Sequence, residues 1–450
     1  MAWMIREDQL DPDQREFINV ESQRVGNIWV KGFAGSGKSV LLIHSLKNII
    51  QQEPNAKVAV VVYTHSLIDM FKTGMKELNI PSNIPLMTYY EFVDKNKDKF
   101  DYIFCDEVQD LPKKVLFDMK NRAKKIVVAG DSHQSIYQRD PKWSDEVVDS
   151  TAIGDIIDAR AFSLNIVHRL TRSIISAVQK ILPGMNIWGA QRDMTKVDVN
   201  IRLCEAQNEN EEIKYVYNES IKGPAVNESS VILIPNHDDI ISFVNKVLNV
   251  NNKPAWELQE KFAFYVSIDS VNEQKAKNIS NKKIVKKKGS KLYLGYFFNE
   301  SSCKNELQRL VSNGISSELI KESWGFDYDS MNNYLRSQNI KLQFVGSNYG
   351  SLLDAERNKE AILMTYHSSK GLDFDNVFLP FLNAHFYLHP NNAETLFMVA
   401  MTRSRKNLYL TYFGYTHDLV DKFKSECTEI SISDILNQRT TNRSTNNFDY

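Results

Sequence analysis

A chain of 450 residues that is 42% hydrophobic and 11% aromatic is long enough for more than one packed core, because single cores stop growing well before this length. Its 55 Lys and Arg against 56 Asp and Glu leave a net charge of -1, which excludes a globally basic nucleic-acid or membrane-surface protein and requires any basic surface to be local. The longest apolar stretch, Val58 to Tyr63, is far short of the roughly 20 residues that span a bilayer, and the N-terminus turns charged at Arg6, Glu7 and Asp8 where a signal core would be apolar; a soluble, cytoplasmic protein without a membrane partner is expected.

From residue 28 onward, short β-branched runs alternate with helical patterns, the pattern of a parallel sheet covered by helices on both faces. Strands are predicted at Ile28 to Lys31, Lys57 to Tyr63, Tyr102 to Cys105 and Lys125 to Ala129, each a continuous apolar run as a doubly covered sheet requires. Between the first two, Ser39 to Ile50 carries apolar residues at helical period and ends near Pro54. A second alternating section begins near Ser163. Ile166 to Ile181 reads as a helix, and Val199 to Cys204, Val231 to Ile234, Ala361 to Met364, Val377 to Leu379 and Leu408 to Tyr412 read as strands of a second sheet.

The pattern weakens between about 250 and 330, where the lysine-rich run from Lys282 to Lys288, with Lys291, precedes a strand-like Leu292 to Phe298; this stretch is read as an insertion. The boundaries are set at 1–162 for a first domain, 163–249 with 331–437 for a second, 250–330 for the insertion and 438–450 for a polar, disordered tail. Cys105, Cys204, Cys303 and Cys427 are too far apart for metal-ligand spacing or a disulfide framework, and Cys105, inside an apolar run, reads as a core thiol.

The chemistry begins at Gly32-Phe33-Ala34-Gly35-Ser36-Gly37-Lys38-Ser39, between a strand and a helix. Glycines such as Gly35 and Gly37 let the loop wrap a phosphate chain, backbone N–H groups from Gly35 through Lys38 point inward, and the helix N-terminus adds partial positive charge. Lys38 reaches the β and γ phosphates and the Ser39 hydroxyl faces Mg²⁺. Such a loop needs an acid at the end of a neighbouring strand. Cys105-Asp106-Glu107-Val108-Gln109-Asp110 supplies it, with Asp106 on the metal shell and Glu107 as general base for the attacking water.

These residues, with others in the same order along most of the chain, resemble the UvrD/Rep-like superfamily 1 DNA helicases. The resemblance implies an α/β fold of two tandem RecA-like P-loop domains with a small insertion in the second, and ATP with Mg²⁺ as cofactors. Leu10-Asp11-Pro12-Asp13-Gln14 is similar to the adenine-reading segment, with Gln14 at the base edge. Tyr63-Thr64-His65-Ser66 and Thr88-Tyr89-Tyr90-Glu91-Phe92 resemble motifs that touch single-stranded DNA, which implicates Thr64, His65 and Thr88. Gly130 to Tyr137 resembles the motif joining γ-phosphate to DNA, with Gln134 as phosphate sensor and Tyr137 near a base. Leu164 to Arg172 is similar to the arginine motif of the ATP cleft, implying Arg169 as a catalytic cation and His168 where the family stacks a tyrosine on adenine. Thr365 to Phe374 resembles the second domain's nucleotide and DNA motif, with His367 on DNA and Gly371 and Asp373 at the nucleotide; Val399 to Arg405 resembles the final motif, with Arg403 as the finger.

The chain departs from the family in several places. Asp373 replaces the usual glutamate, and the tryptophan expected after Tyr137 is missing, with Trp143 either its stand-in or an ordinary packing residue. The short interval from Lys38 to Asp106 implies that the accessory domain of large members is absent or vestigial. The lysine run is either a solvated face or a loop that contacts phosphates. The resemblance implies a Mg²⁺-dependent ATPase that translocates on single-stranded DNA and unwinds duplex 3′ to 5′, engaging duplex junctions and a protein partner such as a nuclease. The compact size keeps open an ATP- and DNA-dependent switch that recruits a partner without processive unwinding, and an RNA-directed motor is a third reading.

Overall fold

A computed structural model describes residues 4–131, 135, 137, 139–140, 143–185, 191–192, 197–280, 282–297, 299–346, 349–388 and 393–435. Gln134 and the 438–450 tail therefore lie outside the described residues. The chain divides into two compact units, residues 1–255 with 335–450, and residues 256–334.

The larger unit holds two parallel α/β sheets, the architecture of tandem RecA-like domains. In the first, six strands run in the spatial order Leu86–Thr88, Val58–Val62, Phe100–Cys105, Ala123–Gly130, Asn27–Gly32 and Ala159–Leu164, every pair parallel. Val58–Val62 is buried at all five positions, because helices cover both faces and leave no side to water. The edge strand Ala159–Leu164 escapes the sequence reading because its exposure alternates and its apolar run is broken. The second sheet runs Leu342–Phe344, Ala361–Thr365, Ser230–Ile234, Phe374–Leu379, Ser404–Phe413, Asn200–Ala206 and Thr428–Ser431, again parallel throughout.

The long helix expected over Ile166 to Ile181 is a correction. Ile166–Val167 is a short strand, and the helix is confined to Arg172–Ile181. The apolar residues kept helical spacing across the break, but His168 N–H donates to Gly35 O at 2.9 Å and the Thr171 hydroxyl accepts from Val199 N–H at 3.0 Å. Tertiary partners thus keep 166–171 out of the helix, and Thr171 marks the true helix start.

The smaller unit is a four-stranded antiparallel sheet in the order Ile284–Lys288, Lys291–Phe297, Glu260–Asp269 and Ser317–Phe326. Helices Glu273–Ile279 and Glu300–Ser312 accompany it, and Val266, Leu294, Cys303 and Leu310 form its core. The lysine run is a strand of a hairpin: Lys286 pairs with Glu322 at 2.7 Å and Lys291 with Glu318 at 2.9 Å, while Lys282, Lys283 and Lys287 line an open concavity. Among the described residues no helix is long and apolar enough to cross a membrane.

Helix Glu209–Ser220 buries Glu212 completely. Its Oε1 accepts from Phe381 N–H at 2.7 Å and from the Thr411 hydroxyl at 2.5 Å, while Oε2 has no partner. Phe381 sits at φ 64, a left-handed conformation costly for a bulky residue, and the Glu212 bond holds it there. Burial pushes the Glu212 carboxyl from 4.5 up to about 7. Below pH 4.5 both folded and unfolded forms carry the proton; above it the unfolded chain ionises first, so stability is lost as pH rises to about 7. The loss is on the order of 3 kcal/mol. Glu212→Gln is expected to flatten the fall in thermal unfolding midpoint between pH 4.5 and 7; parallel pH profiles for the two proteins would remove Glu212 as the cause.

Candidate functional site

The loop after Asn27–Gly32 turns through Gly35 at φ +75 and Gly37 at φ +85, then opens helix Lys38–Gln52. Gly35 is dictated twice over. Its backbone is left-handed, and a Cβ there would meet the backbone N of Arg169 at 3.1 Å and overlap that residue's side chain. Lys38 Nζ donates to Gly32 O at 3.0 Å and Phe33 O at 3.1 Å, so the ammonium lies over the loop. Ser36 is fully buried in the loop, its hydroxyl without a hydrogen-bond partner.

The acid does not come from the adjacent strand, as the sequence reading had it. Ala123–Gly130 lies between Asn27–Gly32 and Phe100–Cys105, so Asp106 stands two strands from the loop. Strands are about 4.8 Å apart, and the gap of twice that is closed by two side chains: Ser39 Oγ donates to Asp106 Oδ2 at 2.5 Å. A hydroxyl and a carboxylate side by side are hard oxygen donors, the set that suits Mg²⁺ when phosphate oxygens complete the shell. Burial first, and the neighbouring Glu107 charge second, push the Asp106 carboxyl up to about 6.

Glu107 follows at φ 54, another left-handed non-glycine residue. Its N–H donates to Asp106 Oδ1 at 2.9 Å, and its Oε2 accepts from Gln109 Nε2 at 2.5 Å. The strain aims a carboxylate into the cleft from the end of a rigid strand. Gln109 in turn accepts from Asp131 N–H at 3.2 Å, tying the turn to the end of the intervening strand.

Opposite stand residues of the second sheet and its approach. Lys38, Ser39, Glu107, His168, Arg169, Gly371, Asp373 and Arg403 line one cleft of about 580 Å³, together with Gln14. Arg403 is buried; its Nε donates to Val399 O at 2.7 Å, Nη1 to Leu372 O at 3.1 Å and Nη2 to the Thr402 hydroxyl at 2.9 Å. Burial, reinforced by the nearby Arg169 guanidinium, pulls its pKa down to about 9. Burial likewise lowers that of Arg169, whose Nη1 lies 3.8 Å from Asp373 Oδ2 and whose Nε has no hydrogen-bond partner. Gly371 approaches Glu107 so closely that a Cβ would stand 3.2 Å from its Oε1.

Both ends of the Gln14 amide are engaged within the protein. Oε1 accepts from Asp11 N–H at 3.2 Å and Nε2 donates to Ser36 O at 3.1 Å, so the side chain braces the phosphate loop. The His168 ring lies 2.5 Å from Asp11 Oδ2. Of the residues assigned to a nucleic-acid strand, the structure brings Tyr137 and His367 together, ring centroids 5.4 Å apart, with Tyr63 stacked on Tyr137 at 5.3 Å. Burial pulls His367 down to about 4, a neutral imidazole at neutral pH. Thr64 caps helix His65–Glu77 through Leu67 N–H at 3.4 Å, and His65 is half-buried beside it. Thr88 is 1% exposed, and its N–H donates to Glu91 Oε2 at 3.1 Å. Trp143 packs edge-on against Tyr89 and Tyr90, with Lys114 Nζ 3.6 Å above its ring.

Sequence reasoning missed Arg405 as a cleft residue although it stands in the quoted final motif. Its guanidinium lies 3.9 Å from Asp373 and 3.3 Å from Asp375, so Asp373 is flanked by two arginines.

The profile of the viral superfamily 1 RNA helicase core domain matches residues 28–154, and that of the UvrD-like helicase C-terminal domain matches residues 253–415. The ATP-dependent DNA helicase PcrA of Staphylococcus epidermidis, in two strains, is 21% identical over an alignment that covers 75% of this chain. The chain spans 58% of the length of these curated relatives. Similar solved structures include Pif1 helicase from Bacteroides in complex with ADP-AlF3 and ssDNA (TM-score 0.40, 12% identity, 89% of this chain and 92% of that one) and Arterivirus nonstructural protein 10, a helicase (TM-score 0.37, 12% identity, 89% and 62%).

Gly35→Ala is expected to cost about 1–3 kcal/mol in backbone strain and to push Arg169 out of the cleft, lowering the unfolding midpoint and weakening binding of a fluorescent ATP analogue. A variant with unaltered midpoint and affinity would contradict the close approach of loop and arginine.

Proposed function

We propose that the chain is a UvrD-like superfamily 1 protein, a Mg²⁺-dependent ATPase that translocates on single-stranded DNA and separates duplex, with 3′ to 5′ polarity. The observation that carries this reading is the cleft in which Gly35, Lys38, Ser39 and Glu107 of one sheet, with Arg169 against the loop, face Asp373 and Arg403 of the other. Phosphoryl transfer needs little covalent chemistry from a protein; it needs positioned cations and an oriented water. Lys38 binds the β and γ phosphates, exchanging loop carbonyls for phosphate oxygens. Ser39 and Asp106 would hold magnesium, which when bound neutralises charge on the phosphate oxygens. Glu107 orients and deprotonates the attacking water, Gln134 senses the γ-phosphate, and Arg169 and Arg403 stabilise the transition state. Gln14, Gly35, Ser36, Gly37, His168, Gly371 and Asp373 shape the nucleotide pocket.

Since cations reach the cleft from both lobes, nucleotide binding favours the closed arrangement and hydrolysis releases it, a cycle that moves a strand held by Thr64, His65, Tyr137 and His367. Residues 1–162 and 163–249 with 331–437 are the two motor domains and 250–330 the insertion, working in the cytoplasm. A second reading, a motor on RNA, is favoured by the likeness of residues 28–154 to a viral RNA helicase core.

Lys38→Ala should lower ATP turnover by about a hundredfold or more, and near wild-type turnover would sink the site assignment. Glu107→Gln should keep ATP affinity while losing about 10²–10⁴ in rate; unchanged hydrolysis would remove Glu107 as the base. ATPase rates with single-stranded DNA and single-stranded RNA separate the two motors, and stimulation by neither would overturn both.

A further inference from the structure

Lys370 is the cation of a buried ion pair that joins the two lobes. It follows the strand Ala361–Thr365 of the second sheet, yet its Nζ pairs with the Asp110 carboxylate, at the end of the turn that carries Glu107 in the first. The same Nζ lies 3.9 Å from Glu107 Oε2. The side chains of Lys370 and Asp110 are 2% and 0% exposed. Lys370 does not line the nucleotide cleft, whereas its neighbour Gly371 does.

Both ends of the pair are held rigidly by their own lobes. On the Lys370 side, Ser369 N–H donates to Thr365 O at 3.1 Å, the Ser369 hydroxyl to Tyr366 O at 2.8 Å and Leu372 N–H to Ser369 O at 3.0 Å, a tight turn that fixes where the lysine emerges. On the other side, Asp110 N–H donates to Glu107 O at 3.2 Å, so Asp110 closes the very turn that keeps Glu107 at φ 54. The Glu107 carboxylate is thereby held by Gln109 from its own lobe and approached by Lys370 from the other.

Charges taken out of water are tolerated only with their partners. If the lobes part, water can solvate Lys370, Asp110 and Glu107 separately; when they close, the lysine must meet both carboxylates. We propose that Lys370 is a positioning residue for Glu107, acting through Asp110, so that the general base is correctly oriented only when the two lobes are closed. His367, three residues earlier in the same turn, lies against Tyr137, so the segment that sets the base also touches the aromatic cluster assigned to nucleic acid. The inference rests on the motor reading above and adds to it a device that prevents hydrolysis in the open state.

The test is steady-state ATPase kinetics of the full chain with single-stranded DNA or RNA, whichever stimulates, for Lys370→Met, Lys370→Arg, Asp110→Asn and the double variant Lys370→Met/Asp110→Asn. Lys370→Met and Asp110→Asn are expected to lower kcat about tenfold or more while KM for ATP moves less than about threefold. Lys370→Arg, which keeps the charge, should recover most of the rate. The double variant should be no slower than the slower single one, because one pair is broken only once. Unchanged kcat, a loss in KM as large as that in kcat, no recovery by arginine, or losses that multiply in the double variant would each overturn the proposal. Should Lys370→Met not fold, Asp110→Asn, which keeps the shape of the acceptor, decides by the same split. A wild-type protein without ATP turnover would fell the motor reading and this proposal together, whereas an active wild type with unaffected variants would fell this one alone.

Discussion

The cost of burying charge governs this structure. Lys38, Asp106, Glu107, Asp110, Lys370 and Arg403 are all within a tenth of full burial, in one region between two sheets. A charge in such a place must be paired or hydrogen-bonded, because the loss of hydration otherwise exceeds anything packing returns. The pairing is achieved across the lobes: Lys370 of the second answers Asp110 of the first, and Asp373 lies beside Arg169, which itself sits against the phosphate loop.

The parallel sheets make that convergence possible. In a sheet of parallel strands every loop at the carboxyl end opens on the same edge, so residues far apart in sequence are delivered to one crevice. The phosphate loop, the acid turn and Asp131 leave three consecutive strand ends of the first sheet. Lys370 and Gly371 follow a strand end of the second. The cleft cations are therefore mounted on rigid elements, and the strained backbone of Glu107 is supported by its neighbours Asp106, Gln109 and Asp110.

Local signals were legible in the sequence wherever one segment carries its own geometry. Gly35 to Ser39 reads as a phosphate loop because the turn, its donors and its helix are contiguous, and the continuous apolar run before Asp106 marks a strand end. What misled was periodicity without its context. Ile166 to Ile181 keeps helical spacing, yet 166–171 is pinned by Gly35 and Val199, contacts that no local pattern encodes. The Thr88 backbone and hydroxyl meet Glu91, and Trp143 lies edge-on against Tyr89 and Tyr90.

The amino-acid sequence by itself determined the phosphate loop, the acid pair, the two alternating α/β sections and the order of the motifs, because each depends on residues adjacent in the chain. Only the tertiary structure decided that a whole strand separates the loop from Asp106, that Asp373 is shared by Arg169 and Arg405, and that Lys370 reaches into the turn that carries Glu107. Those relations join residues distant in the chain, and for the pairs that cross the lobes the desolvation of charge that enforces them exists only once the lobes have come together.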